Sequence, residues 1–344
     1  MIIKSKLNNY KVDFRYKINL GFFKSNRNSI YIIDSNVYKK FDLKKLKLKK
    51  KILINPTEKK KDFFYLHRII DILFRLKIKK KDVIISIGGG VIQDISSFVS
   101  SIIFRGITWY YLPTTIIGQC DSCIGGKTSI NYKGIKNQLG NFYPPKKIII
   151  IKEFLNRITN KNLLSGVGEM AHYFYIAGGK DLNFFLLNLK KVLEGNLIKL
   201  FFLIKKSLKI KKFFIERDEF DSGKRLILNY GHTFGHALEK YFNNNLAHGI
   251  AVAEGMDIAN FLSYKYGFMS QKNYLEIKKT LKKIYRKDSN ITNINRYIKI
   301  LELDKKNIRG MIRVIFSKKP GQMFIYNIND KKKLKKYLVK YFNI

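Results

Sequence analysis

Three of the chain's five histidines lie within residues 229–249, which read NYGHTFGHALEKYFNNNLAHG. His232 and His236 are four residues apart, and His248 follows twelve residues later. Imidazole binds metals such as zinc, and it also exchanges protons near neutral pH. A histidine pair at this spacing could bind zinc jointly, as in HExxH enzymes, but the glutamate within that motif is missing. The cluster therefore predicts a metal site or a proton-transfer site, with a purely structural role as the alternative.

Further polar residues suit such a site. Glu169 lies in SGVGEMAHYF (165–174), an apolar pattern that predicts a buried helix with His172 one turn further on. A buried carboxylate needs a cation or a metal as its partner. Arg225, Asn229, His232 and His236 follow one another at spacings of four, three and four. This spacing predicts one helix that carries all four side chains on a single face.

Glycine-rich segments mark a second candidate site in the N-terminal half. SIGGGVIQD (86–94) places three glycines between an apolar strand pattern and a helix, where backbone amides can approach a phosphate. The spacing is not GxGxxG, so a tight turn without a ligand is the alternative. Asp34 ends an earlier predicted strand, where its carboxylate can accept a ribose hydroxyl.

The segment 113–145 is the densest polar stretch of this half. Asp121, Lys127, Lys136 and Asn137 are interleaved there with glycines, among them Gly125, Gly126, Gly134 and Gly140. A long connection of this composition predicts a backbone shaped around a ligand. Its lysines suit a phosphate or a carboxylate, although either could simply be a solvated surface residue.

The elements that must position these residues change in character near residues 150–160. Short β-branched runs at 29–36, 82–90, 108–115 and 146–151 alternate with helical patterns, whereas long helical patterns such as 197–220 and 251–267 follow. Nearly continuous apolar strands are typical of a parallel sheet covered on both faces. The sequence predicts an α/β domain over 1–155 and a mainly α-helical domain over 156–344.

Composition restricts the functional class. The 344 residues include 46% hydrophobic residues and carry a net charge of +43, but the lysines are dispersed along the whole chain. Dispersed charge favours an anionic small substrate and indicates no specific nucleic-acid site. The apolar runs are too short to span a membrane, and the N-terminus lacks a signal peptide. Cys120 and Cys123 form no disulfide framework, although a lone CxxC pair could bind metal or act in redox chemistry; we expect a cytoplasmic protein.

Several blocks of the sequence resemble the 3-dehydroquinate synthase family, a group of sugar-phosphate cyclases. They occur in the family's order: GGGVIQD, RGITWYYLPTT, DSCIGGKTSIN, GIKNQLGNFYPP, GVGEM, RLILNYGHTFGHALE, LAHGIAVAEGM and LDKKN. The resemblance runs from about Asp34 to Asn307. It implies an N-terminal Rossmann-like NAD-binding domain, a helical C-terminal metal-binding domain and a homodimer.

The resemblance also implies the reaction. A member of this family converts 3-deoxy-arabino-heptulosonate 7-phosphate, an anionic sugar phosphate, to 3-dehydroquinate and phosphate in the shikimate pathway of aromatic amino acid biosynthesis. NAD is a catalytic cofactor, and the metal is Zn²⁺ or Co²⁺. The alternatives are a related cyclase that acts on sedoheptulose 7-phosphate or glucose 6-phosphate, and a metal-dependent alcohol dehydrogenase on the same architecture.

The family's functional residues can be carried over position by position. The metal ligands are Glu169, His232 and His248, and His236 becomes a neighbour that handles protons. The resemblance places around the substrate Asp121, Lys127, Lys136, Asn137, Lys211, Arg225, Asn229 and Lys305 or Lys306, with Arg105 reaching from the second subunit. It assigns to NAD the residues Asp34, Asn36, Glu58, Lys61, Gly89, Gly90, Val91, Asp94, Thr114 and Thr115, joined by Lys127 and Lys136.

Two residues near these sites depart from the family pattern. His172 occupies a position where most members have a lysine that contacts the substrate, so we include it among the catalytic candidates. Gln93 replaces a common glycine, and its side chain could crowd the pyrophosphate of NAD. Both departures concern the substrate and the nucleotide, and neither replaces a metal ligand.

Overall fold

The computed structural model describes residues 1–26, 29–286, 289–304, 307 and 310–343, except for the side chain of Lys24. The chain divides into two compact units, Met1–Ile158 and Thr159–Ile344. No helix within the described ranges is long and apolar enough to span a membrane.

The first unit is built on a largely parallel sheet. Among its described residues the strands are β1 (Ile2–Ile3), β2 (Tyr10–Arg15), β3 (Ile30–Asp34), β4 (Lys51–Ile54), β5 (Ile84–Gly88), β6 (Trp109–Pro113), β7 (Ile130–Tyr132), β8 (Ile135–Leu139) and β9 (Lys147–Ile151). Seven of them form one sheet in the order β1-β2-β9-β6-β5-β3-β4, in which only β1 pairs antiparallel. The predicted parallel sheet is confirmed.

The helices of this unit connect the parallel strands. They are α1 (Leu20–Ser25), α2 (Ser35–Lys40), α3 (Phe63–Arg75) and α4 (Gly90–Ile102). Strands β3 and β5 are buried along their whole length, because side chains on both faces of the sheet are covered. The polar segment 113–145 is more ordered than a plain connection: it contains a π-helical turn (Gly118–Ser122) and the hairpin β7–β8.

The second unit is mainly helical, as predicted. Its helices are α5 (Asn160–Ala177), α6 (Gly179–Leu193), α7 (Leu197–Ile215), α8 (His232–Tyr241), α9 (His248–Lys265), α10 (Gln271–Tyr285), α11 (Ile294–Glu302) and α12 (Lys331–Phe342), with the antiparallel hairpin β10 (Ile312–Ser317) and β11 (Met323–Ile328). Helix α7 ends at Ile215, earlier than the apolar pattern to residue 220 suggested.

The prediction of one helix through Arg225, Asn229, His232 and His236 is wrong. Arg225 and Asn229 lie in a short 3₁₀ segment (Lys224–Asn229), and α8 begins only at His232. Gly231 separates the two with φ +81°, a conformation that favours glycine. A side chain there would also collide with Met256 Cγ (2.5 Å) and with the backbone oxygen of Val252 (2.7 Å). The close packing of Gly231 against α9 therefore prevents one continuous helix through these residues.

Candidate metal centre and active-site residues

Glu169 and the histidines meet in the helical unit. One carboxylate oxygen of Glu169, Oε1, lies 3.6 Å from His232 Nε2, and the other, Oε2, lies 3.1 Å from His248 Nε2. His172 lies on the Oε1 side, with its Nδ1 at 3.8 Å. Glu169 is only 1% exposed. The structure therefore places Glu169 in contact with His232 and His248, the two histidines that the resemblance assigned to the metal together with it.

A close crossing of α5 and α9 produces this contact. A side chain at Gly249 would lie 1.7 Å from the backbone oxygen of Ser165, and one at Gly168 would lie 2.0 Å from the oxygen of Gly249. The backbones can approach this closely only because both positions are glycine. The amide of Gly249 donates to Ser165 Oγ (3.0 Å). Glu169 and His248, each next to a crossing glycine, are consequently held together.

Hydrogen bonds on the far side of each ring orient the histidines. His232 Nδ1 lies 3.2 Å from the backbone oxygen of Tyr230, and since a carbonyl only accepts, Nδ1 carries the proton. His248 Nδ1 lies 3.1 Å from Glu239 Oε2 on α8. Such partners set the tautomer of metal-binding histidines and leave Nε2 free for the ion.

The sequence reasoning missed Glu239. A signal was available, since Glu239 lies three residues after His236 and seven after His232, which places all three on one side of α8.

The electrostatics of the cluster follow from its charges. Burial alone would raise the pKa of Glu169, but the nearby imidazoles of His232, His172 and His248 outweigh burial and hold this pKa well below its usual range. Burial would likewise lower the pKa of His248, whereas Glu169 and Glu239 raise it well above the usual value. Glu169 is therefore a carboxylate, the form in which it can bind a cation.

His236 completes a second group. One ring nitrogen from each of His232, His236 and His248 lies within 4.8 Å of the others, and Glu169, His172 and His232 satisfy the same limit. The rings of His236 and His248 are stacked with centroids 5.6 Å apart. His236 therefore lies beside His232 and His248, and the two groups of possible metal ligands share His232.

The loop that carries Arg225 is organised by Asp218. Its carboxylate accepts from the amides of Ser222 (3.0 Å), Gly223 (2.7 Å) and Arg225 (2.9 Å). Burial opposes ionisation, but these amides and the Ser222 hydroxyl lower the pKa of Asp218 to about 2. The buried guanidinium of Arg225 donates to the backbone oxygen of Glu219. Asp218 was also missed by the sequence reasoning.

The other predicted substrate residues of this unit are dispersed over several elements. Lys211 is buried on α7, and Asn229 Nδ2 donates to Leu226 O (3.0 Å) at the end of the 3₁₀ segment. Lys305 and Lys306 lie outside the described residues.

In the α/β unit, a second polar cluster centres on Lys61. Its ammonium lies 2.8 Å from Asp94 Oδ2 and 3.6 Å from Glu58 Oε1, and it donates to Asn137 Oδ1 (2.9 Å). Asn131 joins them by donating to Glu58 Oε1 (2.8 Å). Burial raises the pKa of Asp94 to about 6, although Lys61 acts in the opposite direction. Three predicted NAD residues thus come together with Asn137, which the resemblance assigned to the substrate.

The glycine turn joins β5 to α4. Gly89 precedes α4 and Gly90 begins it, followed by Val91 in the first turn. A side chain at Gly89 would lie 2.8 Å from Thr115 Cγ2, so only glycine leaves the backbone open there. The amide of Thr114 donates to Gly88 O (3.0 Å), which fixes the end of β6 beside the turn. This is the backbone geometry that a phosphate requires.

Gln93 does not extend freely from the turn. Its side chain donates to Ser122 O (2.6 Å) and accepts from the Ser122 hydroxyl (2.6 Å). Ser122 ends the π-helical turn that also carries Asp121. The extra side chain therefore connects α4 to this turn.

The remaining predicted residues of this unit lie at strand ends and on the surface. Asp34 caps α2 by accepting from the amides of Asn36 (2.8 Å) and Val37 (3.3 Å). Lys127 and Lys136 are exposed. Arg105 is exposed too, with φ +59°, next to Phe104 with φ +50°.

Comparison with known proteins decides the family. Residues 51–165 match the model of the 3-dehydroquinate synthase N-terminal domain, and residues 166–307 match that of the C-terminal domain. A 3-dehydroquinate synthase of Dictyoglomus thermophilum is 38% identical over 282 residues, which cover 81% of this chain and 79% of that protein. The chain belongs to the 3-dehydroquinate synthase family. Every predicted site residue from Glu58 to Lys306 falls within the two matched ranges.

Solved structures agree with the fold of the 3-dehydroquinate synthase family. A 2-deoxy-scyllo-inosose synthase in complex with carbaglucose-6-phosphate, NAD⁺ and Co²⁺ superposes with a TM-score of 0.88, at 20% identity over 99% of both chains. A 2-epi-5-epi-valiolone synthase of Streptomyces hygroscopicus with NAD⁺ and Zn²⁺ gives a TM-score of 0.85, at 19% identity over 98% of both chains. The predicted fold, a Rossmann-like α/β domain followed by a mainly α-helical domain, is confirmed.

Proposed function

We propose that the protein is a 3-dehydroquinate synthase, which converts 3-deoxy-arabino-heptulosonate 7-phosphate to 3-dehydroquinate and phosphate. The observation that carries this proposal is the buried contact of Glu169 with His232 and His248 in a chain of that family. The conversion loses phosphate without net oxidation, and its product belongs to the shikimate pathway.

The donor set fits Zn²⁺ or Co²⁺. Bonds to zinc of about 2.0–2.2 Å place tetrahedral ligands roughly 3.3–3.6 Å apart. The distances from Glu169 to His232 and His248, 3.6 and 3.1 Å, are close to that spacing. Glu169, His232 and His248 would hold the ion, and Glu239 and the Tyr230 carbonyl would orient the two rings.

The glycine turn and the Lys61 cluster fit NAD. The uncovered backbone at Gly89 and Gly90 suits the pyrophosphate, and Asp34 at the end of β3 suits a ribose. The residues assigned to the cofactor are Asp34, Asn36, Glu58, Lys61, Gly89, Gly90, Val91, Asp94, Thr114, Thr115, Lys127 and Lys136. When bound, the metal would supply Lewis-acid polarisation and NAD a reversible hydride acceptor.

The chain's own residues bind the substrate and move its protons. The substrate carries a carboxylate and a phosphate, which cationic side chains recognise by charge-assisted hydrogen bonds. Arg225 and Lys211 are buried cations suited to this task, and Asn229 follows Arg225 on the same segment. His236 lies beside the rings of His232 and His248, where an imidazole can accept and return a proton. The other substrate residues that the resemblance assigns are Asp121, Lys127, Lys136 and Asn137, with Lys305 or Lys306.

A homodimer is part of this proposal, with Arg105 reaching the partner's substrate. Exposed apolar surface beside Arg105 supports it: the neighbouring residue Phe104 packs edge to face against Phe74, with ring centroids 5.9 Å apart, and both rings are exposed. A patch of this kind is typical of a subunit interface. Phe104→Glu is expected to give monomers in light scattering. Cys120 and Cys123 are buried and are not joined in a disulfide, which suits the cytoplasm that we infer as the protein's location.

A related cyclase is the second candidate, because His172 lies against Glu169 where the family has a lysine. Phosphate release from purified protein with NAD and Zn²⁺ separates the two. Release from 3-deoxy-arabino-heptulosonate 7-phosphate alone supports the synthase. Release from only sedoheptulose 7-phosphate or glucose 6-phosphate supports the alternative.

A further inference from the structure

His172 is part of the carboxylate–imidazole cluster and not of a separate pocket. It lies three residues after Glu169 on α5, so both side chains project from the same side of the helix. Its Nδ1 is 3.8 Å from Glu169 Oε1, the oxygen that also faces His232 Nε2 at 3.6 Å. The rings of His172 and His232 meet edge to face with centroids 4.9 Å apart.

These distances are close to, or slightly longer than, the distances between the ligands of a bound metal. One donor atom from each of Glu169, His172 and His232 lies within 4.8 Å of the other two. Two ligands on opposite sides of a divalent ion can be up to about 4.2 Å apart, given bonds near 2.1 Å. Glu169, His172 and His232 therefore form a group that could hold one ion.

Burial distinguishes His172 from His236. The side chain of His172 is 1% exposed, whereas His236 is partly exposed. The donor group that contains the carboxylate is the one with His172, and His236 groups with the other imidazoles. A carboxylate attracts a divalent cation electrostatically, so His172 lies on the side of the cluster where a cation is bound more strongly.

We propose that His172 is a fourth protein ligand of the metal, in addition to Glu169, His232 and His248. This inference rests on the proposed metal centre of the synthase and concerns how that centre is built. A fourth protein ligand would leave fewer coordination positions for substrate oxygens than the three-ligand sites typical of catalytic zinc.

The test uses metal-free full-length protein titrated with Co²⁺, whose visible absorption reports its ligands. We expect His172→Gln to weaken Co²⁺ binding by about tenfold or more, since even residues that only support a ligand typically cost 10–100-fold. The visible bands should also change in position and intensity. His236→Gln, the matched control on α8, should retain the affinity and spectrum of the wild type.

Three outcomes would overturn the proposal. His172→Gln could bind Co²⁺ with the wild-type affinity and spectrum while raising the KM for substrate, which would make His172 a substrate contact. Equal losses in both variants would reflect disturbed packing. X-ray absorption of the Zn²⁺-loaded wild type needs no variant: three imidazoles per zinc support the proposal and two refute it.

The proposed function and the assignment of His172 as a ligand can fail independently of each other. Wild-type protein that binds one Co²⁺ with His172-dependent bands but releases no phosphate from any of the three sugar phosphates would refute the synthase assignment and leave the ligand assignment standing.

Discussion

Glu169 Oε2 lies 3.1 Å from His248 Nε2, and the two residues belong to helices α5 and α9, which cross through paired glycines. The crossing explains how a carboxylate and an imidazole from distant parts of the chain form one ligand set. The candidate metal centre therefore depends on how closely α5 and α9 pack at Gly168 and Gly249.

Gly249→Ala tests this dependence. The added methyl would lie 1.7 Å from the backbone oxygen of Ser165, and backbone cannot move aside cheaply. We expect the free energy of unfolding to fall by about 3 kcal/mol, the upper range for overpacking, and the metal content to fall with it. Urea unfolding and metal analysis measure both.

Gly90→Ala is the control, because no atom lies within 4 Å of a side chain there. Wild-type stability and metal content in Gly249→Ala would contradict the role given to the crossing.

Glu239→Gln tests the partner of His248. The carboxylate at 3.1 Å from Nδ1 raises the basicity of the ring and fixes its orientation. We expect metal affinity to fall by about 10–100-fold while the far-ultraviolet circular dichroism stays unchanged. Unchanged affinity would show that His248 is oriented by other contacts.

Asp218→Asn tests the loop that carries Arg225. The amides of Ser222, Gly223 and Arg225 lower the folded-state pKa of Asp218 to about 2, below its value of about 3.9 in an unfolded chain. A lowered carboxyl pKa stabilises the folded state above pH ~4, and this contribution disappears as the pH falls toward 2. The wild type should therefore exceed the variant in stability at pH 5–7, with the difference shrinking below pH ~4.

Steady-state kinetics of Asp218→Asn distinguish a misplaced Arg225 from a general loss of stability. Because Asp218 acts through Arg225, we expect the KM for substrate to rise more than kcat falls. A difference in stability that grows below pH 4, or a KM equal to that of the wild type, would contradict this role.

The sequence predicted the buried helix of Glu169 but not the local geometry around it. That helix is confirmed, because burial is written in the apolar pattern of residues 165–174, and the ligand roles of Glu169 and the histidines stay a prediction. The single helix through Arg225 and His236 was wrong, because the spacing suits a helix while the contacts of Gly231 with α9 forbid one. Glu239 and Asp218 were missed because their roles depend on partners that only the fold brings near.

Gln93→Ala tests the departure in the glycine turn. The sequence suggested that this side chain crowds NAD, whereas the structure pairs it with both the oxygen and the hydroxyl of Ser122. We expect a loss of about 1–2 kcal/mol in the free energy of unfolding and a Kd for NAD close to that of the wild type. A double-mutant cycle with Ser122→Ala isolates the side-chain part of the contact. Clearly tighter NAD binding by the variant would show that Gln93 does crowd the nucleotide.

The most direct measurement titrates metal-free protein with Zn²⁺ in the presence of NAD and 3-deoxy-arabino-heptulosonate 7-phosphate, with phosphate and 3-dehydroquinate followed together. The account predicts that activity rises to a plateau at one Zn²⁺ per chain, with equal amounts of both products and no accumulation of NADH. Glu169→Gln should stay inactive in the same titration. Full turnover by the metal-free protein, or by Glu169→Gln, would contradict the assignment of Glu169, His232 and His248 as the metal centre of a 3-dehydroquinate synthase.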